Sequence, residues 1–311
     1  MSVLISGSIA YDNILSYGAR FSDHLIASSL DHINLSFVTD SMTRNYGGCA
    51  ANIAYSLKQL GGDPLVIGAV GTDGSDFLYR FDEQHIDHCV IKLNDTYTAQ
   101  CFVTTDTTGA QIAAFNPGAM LRSQQAKFPE SAKIELGIVA PDGKQAMIER
   151  AQQFVDHKIP FVFDIGQGVT LFNGDEIKDF IEKATYVAAS AYEMDMISHL
   201  TGWSIEDIAS RVEALIVTHG ENGSCVYTQG SRIDVKACTV EKAVDPVGAG
   251  DAFRGGLLYG MTHGFDWKAT MQLASVMGSF KVESLGAQNY QVTREQVCER
   301  YEAFYGEKLE L

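Results

Sequence analysis

The sequence is short of proline: 311 residues carry six, scattered, and no low-complexity stretch interrupts them. A charged share of 20% beside a hydrophobic share of 46% excludes a disordered chain and leaves enough apolar mass for a sizeable core. Long apolar runs are missing, so no stretch is able to cross a bilayer. The opening MSVLISGSIAYDN has no basic region ahead of its apolar run, and Ser6, Gly7 and Ser8 break that run. It reads as neither a signal peptide nor a membrane span. Cysteine motifs are missing too. The cysteines at 49, 89, 101, 225, 238 and 298 form no CxxC pair and no Cys/His cluster with zinc spacing. That is the pattern of buried thiols in a reducing compartment. Positive charge is scarce: 23 Lys and Arg against 39 Asp and Glu, a formal charge of −16. A globally basic nucleic-acid binder and a polybasic membrane-surface protein are excluded. An anionic ligand is not, because a local pocket of backbone N–H groups holds phosphate inside an acidic protein. The expectation is a soluble cytoplasmic protein with no nucleic-acid or membrane partner.

What is present is an alternation of short apolar runs and amphipathic stretches. At about 150 residues per domain, the length allows two domains or one large α/β unit. VLISGSI (3–9) reads as a buried strand, and residues 10–45 as polar and weakly periodic, with an alternating INLSFV (33–38) inside them. Cys49, Ile53, Leu57 and Leu60 fall on one helical face, ended by Gly61-Gly62. PLVIGAVG (64–71) reads as a strand and SDFLYRFDEQ (75–84) as a short helix. AQCFVTT (99–105) and AQIAAF (110–115), joined by a turn-like DTTG, predict an antiparallel hairpin. From about 134 strand and helix alternate regularly, and three helices near 249–263, 267–282 and 293–305 close the chain. Such alternation predicts a mainly parallel sheet covered by helices on both faces. The insertions near 10–40 and 96–117 do not fit that sheet, and as a paired second layer they would form a small antiparallel β lid. A parallel sheet places its ligand beyond the carboxyl ends of its strands, so the glycine-rich turns there are the places to search.

Two segments stand out. In KAVDPVGAGDAFRGGLLYG (242–260), Asp245-Pro246 reads as the end of an apolar strand, and Gly248, Ala249 and Gly250 open a helix. Unpaired N–H groups and the positive dipole end favour an anion there. Asp251, in the first turn, is placed to accept the proton of a hydroxyl attacking a phosphoryl group, and the adjacent amides to bind the phosphoryl oxygens. Arg254, one turn on, is placed to face the same charge. A bare GxGD equally describes an ordinary glycine-rich turn with a helix-start Asp. In NYGGCAANIAYSLKQLGG (45–62), Gly47-Gly48 permit close backbone approach, and the Asn52 amide both donates to and accepts from hydroxyls. Alone, that string is also a helix-capping turn with a solvated Asn.

DPVGAGDAF closely resembles the C-terminal signature of the ribokinase-like (PfkB) kinases, and GGCAANIAYSLKQLGG resembles their N-terminal one. Both occur in the right order, and the likeness covers essentially the whole chain. It implies a single ribokinase-like three-layer α/β unit over 1–311, with ATP as phosphoryl donor and Mg²⁺ bridging the phosphates. The catalytic base then falls on Asp251 and the anion hole on Gly248, Ala249 and Gly250. Sugar contacts fall on Ser8, Asp12, Gly47, Gly48 and Asn52. VTHGENGS (217–224) looks like the family's nucleotide strand and turn, which places Thr218, Gly220 and Gly223, with Ser275, at ATP; a plain hairpin turn is the alternative. Where the family carries Asn-x-x-Glu, tied to magnesium and phosphate, this chain has Ser190 and Glu193. That departure keeps open a catalytically silent nucleoside-binding protein. K⁺ often binds beside the family's anion hole, which would place it at Asp245, Val247 and the 284–288 backbone.

TAQCFVTTDTTGAQIAAFNPGAM (98–120) looks like the lid hairpin of the bacterial adenosine kinases, and FKVESLGAQNY (280–290) resembles their C-terminal turn. By the same likeness Ser36, in INLSF, contacts the nucleoside. Phe115 aligns with the base-stacking aromatic, and a purine face favours such a ring. Cys101 aligns with the second aromatic; Phe102, one place along, is the ring available. The resulting expectation is transfer of the γ-phosphoryl of ATP to the 5′-hydroxyl of adenosine. Inosine, guanosine, cytidine or ribose are the alternative acceptors. The family contains monomers and lid-paired dimers, so a homodimer stays open.

Overall fold

The computed structural model describes residues 2–24 and 36–311. Its larger sheet has nine strands in the order β13-β12-β11-β10-β9-β8-β1-β4-β5. These are β1 (Ser2–Ser6), β4 (Pro64–Val70), β5 (Asp87–Lys92), β8 (Ile134–Val139), β9 (Phe161–Asp164), β10 (Tyr186–Ser190), β11 (Ala214–Thr218), β12 (Ser224–Thr228) and β13 (Ser231–Val235). From β11 to β5 every pair is parallel, and β12 and β13 add antiparallel at one edge. Alternate residues of a strand point to opposite faces. Val3 and Ile5 accordingly join one buried cluster and Leu4 the other; Ala214 and Ile216 separate from Leu215 and Val217 in the same way. Helices α1 (Cys49–Gln59), α2 (Ser75–Glu83), α7 (Ala249–Thr262), α8 (Trp267–Val282) and α9 (Arg294–Tyr305) cover the first face. Helices α3 (Lys144–Asp156), α4 (Gly174–Lys183), α5 (Ala191–Thr201) and α6 (Ile205–Ala209) cover the second. The expected doubly covered, mainly parallel sheet is the architecture observed.

A second sheet has the order β3-β2-β6-β7, from β2 (Ala10–Ser16), β3 (Ser41–Gly47), β6 (Ala99–Thr105) and β7 (Gln111–Asn116). The expected hairpin is β6–β7, antiparallel. The sheet is not wholly antiparallel, because its central pair β2–β6 runs parallel. Three expectations change. The run over 3–9 is not one strand: it ends at Ser6, and Gly7–Ile9 hand the chain from one sheet to the other. The strand expected over 33–38 falls partly on 33–35, outside the described residues, and 36–38 carry no strand. No strand leads into Asp245-Pro246 either, since residues 236–248 have no regular structure apart from a closing turn.

Helix α7 lies unusually close to its neighbours. A Cβ on Gly255 would meet Ser56 Cβ of α1 at 2.5 Å, and one on Gly256 would meet Ala274 Cα of α8 at 2.7 Å. Small residues here let the backbones touch, which holds the N-terminus of α7 at the carboxyl end of the sheet.

Candidate active site

Gly248 precedes α7 with a φ of +81°, a left-handed conformation that glycine adopts without strain. A Cβ there would stand 2.6 Å from that of Ala287, whereas one on Gly250 would meet nothing within 4 Å. The helix therefore opens onto free space. The N–H groups of Gly248, Gly250 and Asp251 meet no acceptor among the described residues. Ala249 departs from the expected cradle, because its N–H donates to Pro246 O at 3.1 Å. Two expected amides and that of Asp251 remain for an anion.

Asp251, half-buried, accepts a hydrogen bond from Asn52 Nδ2 at 2.8 Å. Burial pushes its carboxyl up to about 7; the Asn52 bond opposes this, Asp164 adds to it and Arg254 opposes it. Asn52 is 5% exposed, so the solvated alternative is excluded. Its Oδ1 accepts from Gln288 Nε2 at 2.9 Å. The amide thus aims the carboxylate, with Gln288 aiming the amide. Sequence reasoning missed Gln288, which lies 236 positions from Asn52.

The Gly47-Gly48 pair sits where the two sheets join. Ser8 Oγ accepts from Cys49 N–H at 3.0 Å, and Ser8 O from Ala50 N–H at 3.1 Å. The Ser8 hydroxyl is thereby committed to the start of α1. A Cβ on Gly48, whose φ is +89°, would fall 2.5 Å from Ser8 O. One on Gly47 would fall 2.3 Å from Asp12 Oδ2, so that glycine makes room for a carboxylate. Asp12 lies within β2. Burial, with repulsion from Asp245, raises its carboxyl to about 6.

Register decides the small sheet's faces. Asp12 pairs with Asn45 on one side and Cys101 on the other, and Cys101 with Phe115. Directly paired residues share a face, so Asp12, Cys101 and Phe115 stand in one row. Phe115 is 52% exposed. Phe102 pairs with Asn13 and Ala114 on the reverse face, which corrects its assignment as the second stacking ring. A one-residue offset is enough to reverse a side chain. Ser36 is exposed and outside regular structure.

Asp164, Ser190 and Thr218 end adjacent parallel strands, with Ser190 directly paired to Thr218. Ser190 and Glu193 form a capping box at the start of α5: Ser190 Oγ accepts from Glu193 N–H at 3.3 Å, and Ser190 N–H donates to Glu193 Oε2 at 2.6 Å. The serine hydroxyl is therefore occupied locally. Gly220 and Gly223 lie in the short turn between β11 and β12, which is an antiparallel hairpin. Ser275 Oγ accepts from Cys238 N–H at 2.8 Å and so fastens the loop after β13 to α8. Arg254 does not face the cradle as expected. It is 5% exposed, and its guanidinium donates to both Asp164 oxygens, at 3.0 and 3.3 Å. The pair ties α7 to β9. In the sequence Asp164 is a single acid inside the apolar run FVFDI (161–165).

Comparison with known proteins gives this geometry its class. Residues 14–294 match the model of the pfkB family carbohydrate kinases. The chain belongs to that family, and it is accordingly a phosphotransferase acting on a hydroxyl group. It is similar to a nucleoside kinase of Burkholderia thailandensis solved with inosine: 44% identical, 98% of this chain and 99% of that one covered, TM-score 0.89. The same protein solved with ADP-inosine superposes with a TM-score of 0.87 at 44% identity, over 99% and 97% of the two chains. A nucleoside kinase of Methanocaldococcus jannaschii is 29% identical over 86% of this chain and 89% of its own. The fold is ribokinase-like. No helix among the described residues is long and apolar enough to cross a membrane, and all six cysteines are free thiols.

Proposed function

We propose that this protein is an ATP-dependent nucleoside kinase that phosphorylates the 5′-hydroxyl of purine nucleosides, adenosine giving AMP as in purine salvage. The observation that carries the reading is the Asp251 carboxylate, aimed by Asn52, beside unpaired amides at the mouth of α7. The 5′-oxygen attacks the γ-phosphorus while its proton passes to Asp251; the bond from that phosphorus to the bridging oxygen breaks, and ADP leaves. The amides of Gly248, Gly250 and Asp251 stabilise the phosphoryl oxygens. Asp12, with Gly47 making room for its carboxylate, holds the ribose hydroxyls, and Phe115 covers the base. Thr218, Gly220 and Gly223 border the nucleotide. The small sheet acts as a lid whose closure excludes water as a rival acceptor. The relative solved with inosine supports inosine as a second acceptor.

Magnesium fits Glu193. One of its oxygens holds Ser190 N–H, and the half-buried side chain leaves the other available. Mg²⁺ keeps most of its water and takes one or two carboxylates besides phosphate, so a single carboxylate oxygen suits it. When bound, the ion neutralises phosphate charge.

A coupled ADP assay over adenosine, inosine, guanosine, cytidine and ribose tests the reading. Purine nucleosides are expected to lead, and ribose turned over far better than any of the three purine nucleosides would reject it. Phe115→Ala should raise KM for adenosine about tenfold to a hundredfold, the range of one lost base–aromatic stack, with ribose unaffected. An equal change for both acceptors would remove Phe115 from the base. A base must be deprotonated to act, so kcat/KM should fall with decreasing pH below about 7, where the Asp251 carboxyl titrates. A profile flat from pH 8 to the ordinary carboxylate range would contradict the raised value.

A further inference from the structure

Lys281 lies in the last turn of α8 and is 0% exposed. Its Nζ donates to Asp245 O at 2.7 Å and Ser284 O at 3.2 Å, and stands 3.4 Å from Asp245 Oδ2. The Asp245 carboxylate also accepts from Val247 N–H at 2.9 Å and Gly286 N–H at 2.8 Å. One ammonium and one carboxylate therefore clamp the 245–248 loop to the 284–286 turn. The Lys281 stem runs beside the end of that loop: a Cβ on Gly248 would lie 3.7 Å from Lys281 Cε.

This is the place where the family resemblance puts K⁺. The residues do not fit that ion. A bare monovalent cation needs several oxygens to replace its water. Here the Asp245 and Ser284 carbonyls are already taken by a group of the same charge, and a second cation within a few ångströms in a buried site meets strong repulsion.

We propose that the Lys281 ammonium is a built-in monovalent cation, which fixes the cradle's two loops and makes catalysis independent of K⁺. The charge needed is carried by the chain, so no ionic strength or cation concentration loads the site. Lys281 is a positioning residue: it acts on the anion through the loop that ends in Gly248. A buried ammonium is costly unless paired and hydrogen-bonded; burial lowers the pKa of Lys281, and Asp245 opposes that shift. Its two carbonyls and one carboxylate meet the requirement.

The inference rests on the kinase reading for its rate measurement but not for its thermal one. The wild-type protein is assayed, and its Tm measured, in KCl, NaCl and choline chloride at equal ionic strength. Both quantities are expected to be the same in all three salts. Activation or a higher Tm in KCl alone would overturn the proposal, and this arm stands whether or not any variant folds. Lys281→Ala should lower kcat about tenfold to a thousandfold, the scale of one lost electrostatic element, with a smaller change in KM. KCl or ammonium chloride should then restore part of the rate and raise the variant's Tm, while choline does neither. A folded variant that answers to no cation would show a merely structural lysine and sink the idea. Salt effects on Tm appear without any acceptor, so a wrong substrate assignment does not imitate failure here.

Discussion

Asp251→Asn is expected to bind nucleoside as the wild type does and to lose about 10²- to 10⁴-fold in kcat, the usual worth of a positioned general base. The amide has the carboxylate's shape but does not take up the hydroxyl proton. Asn52 and the free amides of α7 stay in place, so affinity and rate should separate. Calorimetric titration with adenosine reads the first and initial rates the second. Stability adds a control with a definite sign. The carboxyl is raised from 3.8 to about 7 on folding, so its ionisation destabilises the fold as pH climbs through that interval. The neutral variant should therefore melt no lower than wild type at pH 8. Unchanged turnover in a folded Asp251→Asn protein would take the base away from this residue.

The second large effect is on stability. Asp164→Ala leaves the Arg254 guanidinium buried without its counter-ion, and breaking such a pair from one side costs about 3–5 kcal/mol. Chemical denaturation should show that loss. The double variant Asp164→Leu with Arg254→Met should recover much of it, because an apolar replacement removes the buried charge altogether. Recovery of stability without recovery of kcat is expected, since the pair also holds α7 against β9 beside the cradle. A single-variant loss under about 1 kcal/mol, the scale of a surface pair, would mean that the bridge does not anchor the helix.

Most of the large sheet was legible because its strands and helices announce themselves locally. The closing helices fall at 249–262, 267–282 and 294–305, within a residue of their expected bounds. Strand β5, as DHCVIK, was missed: its partly exposed edge position gives it no clean apolar run. The polar stretch 10–45 hid β2 and β3 for a related reason. Both faces of β2 carry polar residues, Asp12 on one and Asn13 on the other, so no alternation marks it. Phe102 was misplaced because only strand register says which face a residue takes. Arg254 was misassigned because one turn of helix spacing says nothing about a buried acid on another strand.

From residues alone came the order of elements, the glycine-opened helix and the acid in its first turn. These depend on neighbours in the chain: a left-handed turn before a helix and the free N–H groups at its start need only a few consecutive residues. Tertiary structure alone decided that Asn52 and Gln288 aim Asp251, that Arg254 turns to Asp164, and that Lys281 reaches back to the Asp245 carbonyl. Each joins residues many positions apart, and burial, which makes a polar group take whichever partner the packing brings, has no local signature.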